Sequence, residues 1–128
     1  MILRTAFFQG AVRAGCERAF EDLLDRTLIP LWRRFPGAEE VRVLRPLSAD
    51  AGAPGFALVL AIRYPDVASM EAALASSIRE QTREPTNALR ALFDGTVFHV
   101  TFDGDDHCPP VPMPQPSVAG PETQETSS

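Results

Sequence analysis

Apolar positions along this chain switch between a spacing of two and a helical spacing, and the switches divide it into elements. Leu3 to Phe8 is a short, mostly apolar run that predicts a first strand, ended by a loop bracketed by Gly10 and Gly15. Phe20, Leu23, Leu24, Leu28, Leu31, Trp32 and Phe35 then form one stripe at helical offsets, with Arg18, Glu21, Asp22, Asp25, Arg26, Arg33 and Arg34 mostly opposite. Pro30 falls inside that stripe and predicts a kink, because it cannot donate to the carbonyl of Arg26. Pro36-Gly37 stops the helix.

Glu40 to Leu47 alternates, with Val41 and Val43 on one face and Arg42 and Leu44 on the other, and predicts a second strand. Ser48 to Pro54 is a connection rich in turn residues. Phe56 to Tyr64 is dense enough in apolar residues for a strand buried on both faces. Pro65 breaks it, and Asp66 is placed to cap a helix carrying Val67, Met70, Leu74 and Ile78. Pro85 interrupts the pattern, Ala88, Leu89, Leu92 and Phe93 resume it, and Asp94-Gly95 turns the chain into a last strand, Thr96 to Phe102.

The order is strand–helix–strand–strand–helix–strand, an α+β, ferredoxin-like βαββαβ arrangement with a four-stranded antiparallel sheet and helices on one face. It spans residues 1–103. Residues 104–128 hold half of the twelve prolines among Ser, Thr, Gln and acidic residues, and read as a disordered acidic tail. Val, Phe and Leu occur on both faces of the strands, so the face away from the helices needs a cover. A second copy's sheet is the natural one.

Charge narrows the function classes. All twelve basic residues are arginine, which removes lysine Schiff-base chemistry and a P-loop lysine. Four of the seventeen acids (Asp105, Asp106, Glu122, Glu125) lie in the tail, leaving thirteen against twelve arginines in the folded part. That near-neutral balance is not the basic stripe of a nucleic-acid binder. Met1-Ile2-Leu3-Arg4 leads straight into a strand pattern, so neither a signal peptide nor a membrane span is expected and the cytoplasm is the default compartment. Cys16 and Cys108 are too few for a disulfide framework, and His107-Cys108 offers too few ligands for a metal site.

Several stretches carry a family likeness. Gly10-Ala11-Val12-Arg13-Ala14-Gly15 ahead of the long helix, Leu31-Trp32-Arg33-Arg34-Phe35-Pro36-Gly37, Tyr64-Pro65-Asp66, and Phe93-Asp94-Gly95-Thr96-Val97-Phe98-His99 resemble the dimeric α/β-barrel superfamily. Among its branches, the EthD-like and antibiotic biosynthesis monooxygenase-like proteins are the most similar. The resemblance implies a homodimer with two sheets closing a shared barrel, and a ligand cavity between each sheet and its own helices. It admits cofactor-free monooxygenases, haem-degrading oxygenases, muconolactone isomerases, polyketide cyclases and non-catalytic effector-binding modules.

His99, among Phe98, Val100 and Phe102, is the candidate catalytic residue, a general acid or base of suitable ordinary pKa. Its alternatives are a backbone-bonded histidine or one at the dimer seam. Arg4 and Arg42 are charges in strands, suited to a carboxylate or phenolate, or else to an ion pair. Trp32 and Tyr64 are candidate aromatic walls, Trp32 fitting the core stripe equally well. The haem-degrading branch carries an asparagine in its first strand, where this chain reads Leu-Arg-Thr-Ala-Phe-Phe. Asn87 lies elsewhere and reads as a cap after Pro85. These residues support a small-molecule enzyme acting without an organic cofactor on an aromatic or polyketide-like substrate. The alternative is a dimeric module that binds a small hydrophobic ligand, or is purely structural.

Overall fold

A computed structural model describes residues 1–107. Of the expected tail, 104–107 are thus described, and the remainder, with Cys108, lies outside the described residues. The elements are β1 (Ile2–Val12), α1 (Glu17–Leu23), a π-helical turn (Leu24–Leu28), α2 (Ile29–Trp32), β2 (Glu40–Leu44), β3 (Phe56–Tyr64), α3 (Val67–Leu74), α4 (Ser77–Gln81), α5 (Arg83–Arg90) and β4 (Phe93–Asp103). The sheet order is β2-β3-β1-β4, and all three pairings are antiparallel. This is the ferredoxin-like α+β fold.

The long helical segment solves a spacing problem. Its buried residues Phe20, Leu24, Leu28 and Trp32 stand four apart. In a helix of 3.6 residues per turn, such a row drifts by about 40° per step. One wider turn takes back part of that drift: the Ile29 amide reaches the Leu24 carbonyl, five residues back. The same turn accommodates Pro30, which has no amide to donate. The expected kink is therefore a π turn just before the proline. It keeps Leu24 and Leu28 fully buried, each worth roughly 1.5–3 kcal/mol.

β2 ends at Leu44, short of the expected Leu47, since Pro46 has no amide for the ladder. Arg45 turns away to hold Glu21, with its Nη2 2.7 Å from the carboxylate. Asp66 caps α3 as expected, its carboxylate accepting from the Ser69 amide at 2.8 Å. That bond also lowers the Asp66 pKa. Pro85 does not interrupt a helix: it sits in the first turn of α5, where an amide needs no partner within the helix.

The largest departures concern β1 and β4. Gly10 does not open a loop, and Asp94-Gly95 does not form a turn. Both strands run on, pairing Gly10 with Gly95 and Val12 with Phe93. The two glycines have φ of +144° and +156°. A Cβ on Gly10 would strike the Asp94 carbonyl, and one on Gly95 the Gln9 carbonyl. The absence of side chains lets the ladder continue where helical and turn signals suggested it stops. At its other end, Met1 and Gly104 exchange hydrogen bonds of 3.0 and 2.9 Å.

Alternation then divides the sheet. Ile2, Ala6 and Phe8 join Leu58, Leu60, Ile62 and Tyr64 in the core beneath the helices. The outer face carries Phe7 stacked on Phe98 with ring centroids 5.1 Å apart, with Phe56 against Phe7 at 5.7 Å. Phe98, Phe102 and Leu44 remain 40%, 44% and 48% exposed, too apolar a set for a sheet face meeting only water.

Gly95→Ala should cost at least about 2 kcal/mol, since a φ disfavoured for L-residues coincides with a backbone collision. Gly52, at φ +87° in open space, should cost only about 1 kcal/mol when changed to Ala. Thermal unfolding of the two variants checks this, and equal melting temperatures would refute the close-contact account.

Candidate active site

Between the sheet and the helices lies a cavity of about 500 Å3. Its sheet wall is built from β1, β3 and β4, which contribute Arg4, Ala6, Phe8, Leu60, Val97 and His99. Trp32 and Phe35, from the end of the long helical segment, complete an apolar side. α4 and α5 supply the opposite side, which is polar: Arg79, Glu80, Arg83, Thr86, Asn87 and Arg90.

His99 faces this cavity because Val97 and His99 share one side of β4, while Phe98, Val100 and Phe102 take the other. It pairs with Ala6, and Arg4 pairs with Thr101, so Arg4 and His99 are diagonal neighbours on the helix side of adjacent strands. The His99 pKa is pushed below its ordinary 6.5, first by desolvation and then by the positive charges of Arg4, Arg79 and Arg90. At neutral pH its imidazole is therefore uncharged and able to accept a proton. The Arg4 pKa is lowered by burial and by Arg79, although the guanidinium stays charged.

The arginines of the cavity differ from those elsewhere on the sheet. On the outer face, Arg42 holds Glu40 at 3.2 Å, and Arg63 holds Glu39 and Asp106 at 3.2 and 2.9 Å. On the α4–α5 side of the cavity, Arg83 holds Glu80 at 3.1 Å, both side chains exposed. Among the described residues, Arg4, Arg79 and Arg90 have no carboxylate partner. Arg79 makes only a long bond, 3.5 Å, to the Leu74 carbonyl.

Of the residues singled out from sequence, His99, Arg4 and Trp32 are thus brought together. Arg42 is not: Val41 and Val43 turn inward, so Arg42 points to the opposite face. Tyr64 is buried in the core at the Ile2 end of the sheet and does not line the cavity. Burial raises its pKa, while Arg4 and Arg79 act against that rise. Asn87, expected as a cap, stands inside α5 and lines the cavity instead. The sequence reading missed Arg79, Arg83, Thr86 and Arg90. Their signal was present: Arg83, Thr86, Asn87 and Arg90 follow offsets of 0, 3, 4 and 7, one helical face that is polar throughout.

The electrostatics make a direct prediction. Followed by NMR of its imidazole, with His99→Gln for assignment against His107, His99 should titrate below pH 6.5. Its midpoint should rise in Arg79→Gln and in Arg90→Gln. A wild-type midpoint at or above 6.5 would remove the arginine field from the account.

No family model matches the sequence, and no curated protein matches it. Solved structures do share its fold. An EthD-family protein from Bacillus halodurans superposes with a TM-score of 0.67 at 18% identity, over 82% of this chain and 99% of that one. An antibiotic biosynthesis monooxygenase gives 0.52 at 20% identity, over 83% and 100%. A dimeric ferredoxin-like protein of unknown function from Thermobifida fusca gives 0.58 at 13% identity, over 79% and 88%. The chain shares the ferredoxin-like fold of these structures.

Proposed function

We propose that this chain is a small-molecule enzyme of the dimeric α/β-barrel type that takes a proton from an aromatic or polyketide-like substrate without a bound organic cofactor. The observation that carries the reading is the placement of His99, diagonal to Arg4, on the wall of a cavity with one apolar side. Trp32, Phe8 and Phe35 offer flat contact to an aromatic body. Arg4 is placed to hold a carbonyl or phenolic oxygen next to the acidic carbon.

In the step itself, a C–H bond next to the carbonyl breaks. Its proton passes to an imidazole nitrogen of His99, and the electron pair moves onto the oxygen held by Arg4. The resulting enolate is the common entry to three outcomes. Reprotonation at another carbon gives isomerisation, attack on a second carbonyl gives cyclisation, and reaction with dioxygen gives oxygenation. The observation favouring a non-catalytic binding module is that His99 has no hydrogen-bond partner among the described residues to orient it.

Anthrone, a tricyclic enolisable ketone, separates the two. Solvent deuterium should enter its methylene faster with the wild-type chain than with His99→Ala, by about 100-fold or more for a general base. Equal exchange rates would leave only the binding module.

We also infer that two copies close the barrel through their outer sheet faces, which would cover Phe98, Phe102 and Leu44. Native mass spectrometry should give twice the 14.0 kDa chain mass. The Phe98→Asp, Phe102→Asp double variant should give single chains, and a wild-type monomer would end the shared-barrel reading.

A further inference from the structure

The polar side of the cavity specifies more than the proton transfer requires. We propose that the substrate is an aromatic carboxylate, its flat body against Trp32 and Phe35 and its carboxylate held by Arg79 and Arg90. This rests on the reading of the cavity as a small-molecule site, and it adds a second anionic group to the oxygen at Arg4.

Four arginines and one glutamate line the cavity, a surplus of three positive charges with His99 uncharged. Glu80 is already engaged by Arg83. One enolate or phenolate oxygen at Arg4 answers only one of the remaining three. Arg79 and Arg90 stand on α4 and α5, across the cavity from the sheet wall, and are not needed for an oxygen next to His99. α5 buries Leu89 against the core, and the neighbouring face of Arg83, Thr86, Asn87 and Arg90, largely exposed where it lines the cavity, is built from hydrogen-bonding groups. Guanidinium forks match a carboxylate in shape as well as charge, and Asn87 and Thr86 add neutral donors. The apolar side sets the rest of the ligand: Phe8, Trp32, Phe35, Leu60 and Val97 exclude a small polar dianion.

The charges facing His99 are Arg4 from β1, Arg79 from α4 and Arg90 from α5, with Glu80 tied to Arg83, while β3 and the Trp32–Phe35 segment contribute only apolar groups. A carboxylate among them cancels part of their field and returns the His99 pKa toward its ordinary value.

The test compares 2-naphthoate with its uncharged methyl ester by calorimetry or amide chemical shifts. Naphthoate should bind at least tenfold tighter, and the Arg79→Gln, Arg90→Gln double variant should reduce it to the ester's affinity. Both side chains are exposed, so the variant should keep its fold, verified by its melting curve. Glu80→Gln should act in the opposite direction and tighten naphthoate severalfold. Saturating naphthoate should also raise the His99 midpoint in the wild type. Equal binding of acid and ester would overturn the carboxylate assignment while leaving His99-dependent exchange of anthrone intact. Failure of both to bind, with no exchange, would overturn the cavity reading beneath it. Naphthoate binding that survives in His99→Ala would support the assignment independently of catalysis.

Discussion

The pairing of β1 with β4 governs what this fold can do, and that pairing depends on the Gly10–Gly95 contact. Side chains alternate along a strand, so a slip of one residue would move Arg4 and His99 to opposite faces. The ladder runs from Ile2↔Asp103 to Val12↔Phe93 without a shift, and where Gly10 meets Gly95 the strands leave no room for a side chain on either. From it follow the inward face of Val97 and His99, the outward face of Phe98 and Phe102, and the position of Arg4 beside His99. The chemistry of the cavity and the apolar outer face are two consequences of one register.

The cavity itself is a place where the core was left incomplete. α5 contributes Leu89 to the core and presents hydrogen-bonding groups to the space above the sheet. Local rules of packing tend to be broken where function needs them broken. The contrast between faces makes the point within one sheet: its outer arginines, Arg42 and Arg63, are each neutralised by glutamates, whereas Arg4 is not.

Much of this was readable from the chain alone. The element order followed from periodicity, and the α3 cap followed from Asp66 after Pro65. His99 stood out as a polar ring in an apolar strand. Two kinds of information were missing. Gly10 and Gly95 are turn signals in isolation and strand residues only when they face each other, which is a long-range fact. Likewise, Arg4 and Arg42 look alike as charges in strands. Alternation already sets Arg42 opposite Val41 and Val43, but only the pairing and packing show which of those faces is the core side, the one Arg4 shares with Ala6 and Phe8. The α5 stripe is hidden for a different reason: Pro85 signals a break in the sequence, and only its place in the first turn of α5 joins Arg83 to Thr86, Asn87 and Arg90 as one face.

The arrangement of charge creates a tension that the substrate can resolve. Arginines near an enolate oxygen stabilise the product of proton transfer, yet the same charges weaken the base by lowering its proton affinity. A neutral ligand would meet an efficient oxyanion site served by a poor base. A ligand bearing its own negative charge at the α4–α5 end would offset part of the field before the proton moves, leaving Arg4 free to act on the developing oxygen. His99 would then be a stronger base in the complex than in the free protein. Binding and chemistry would be coupled through the field at a single imidazole, with no moving part required.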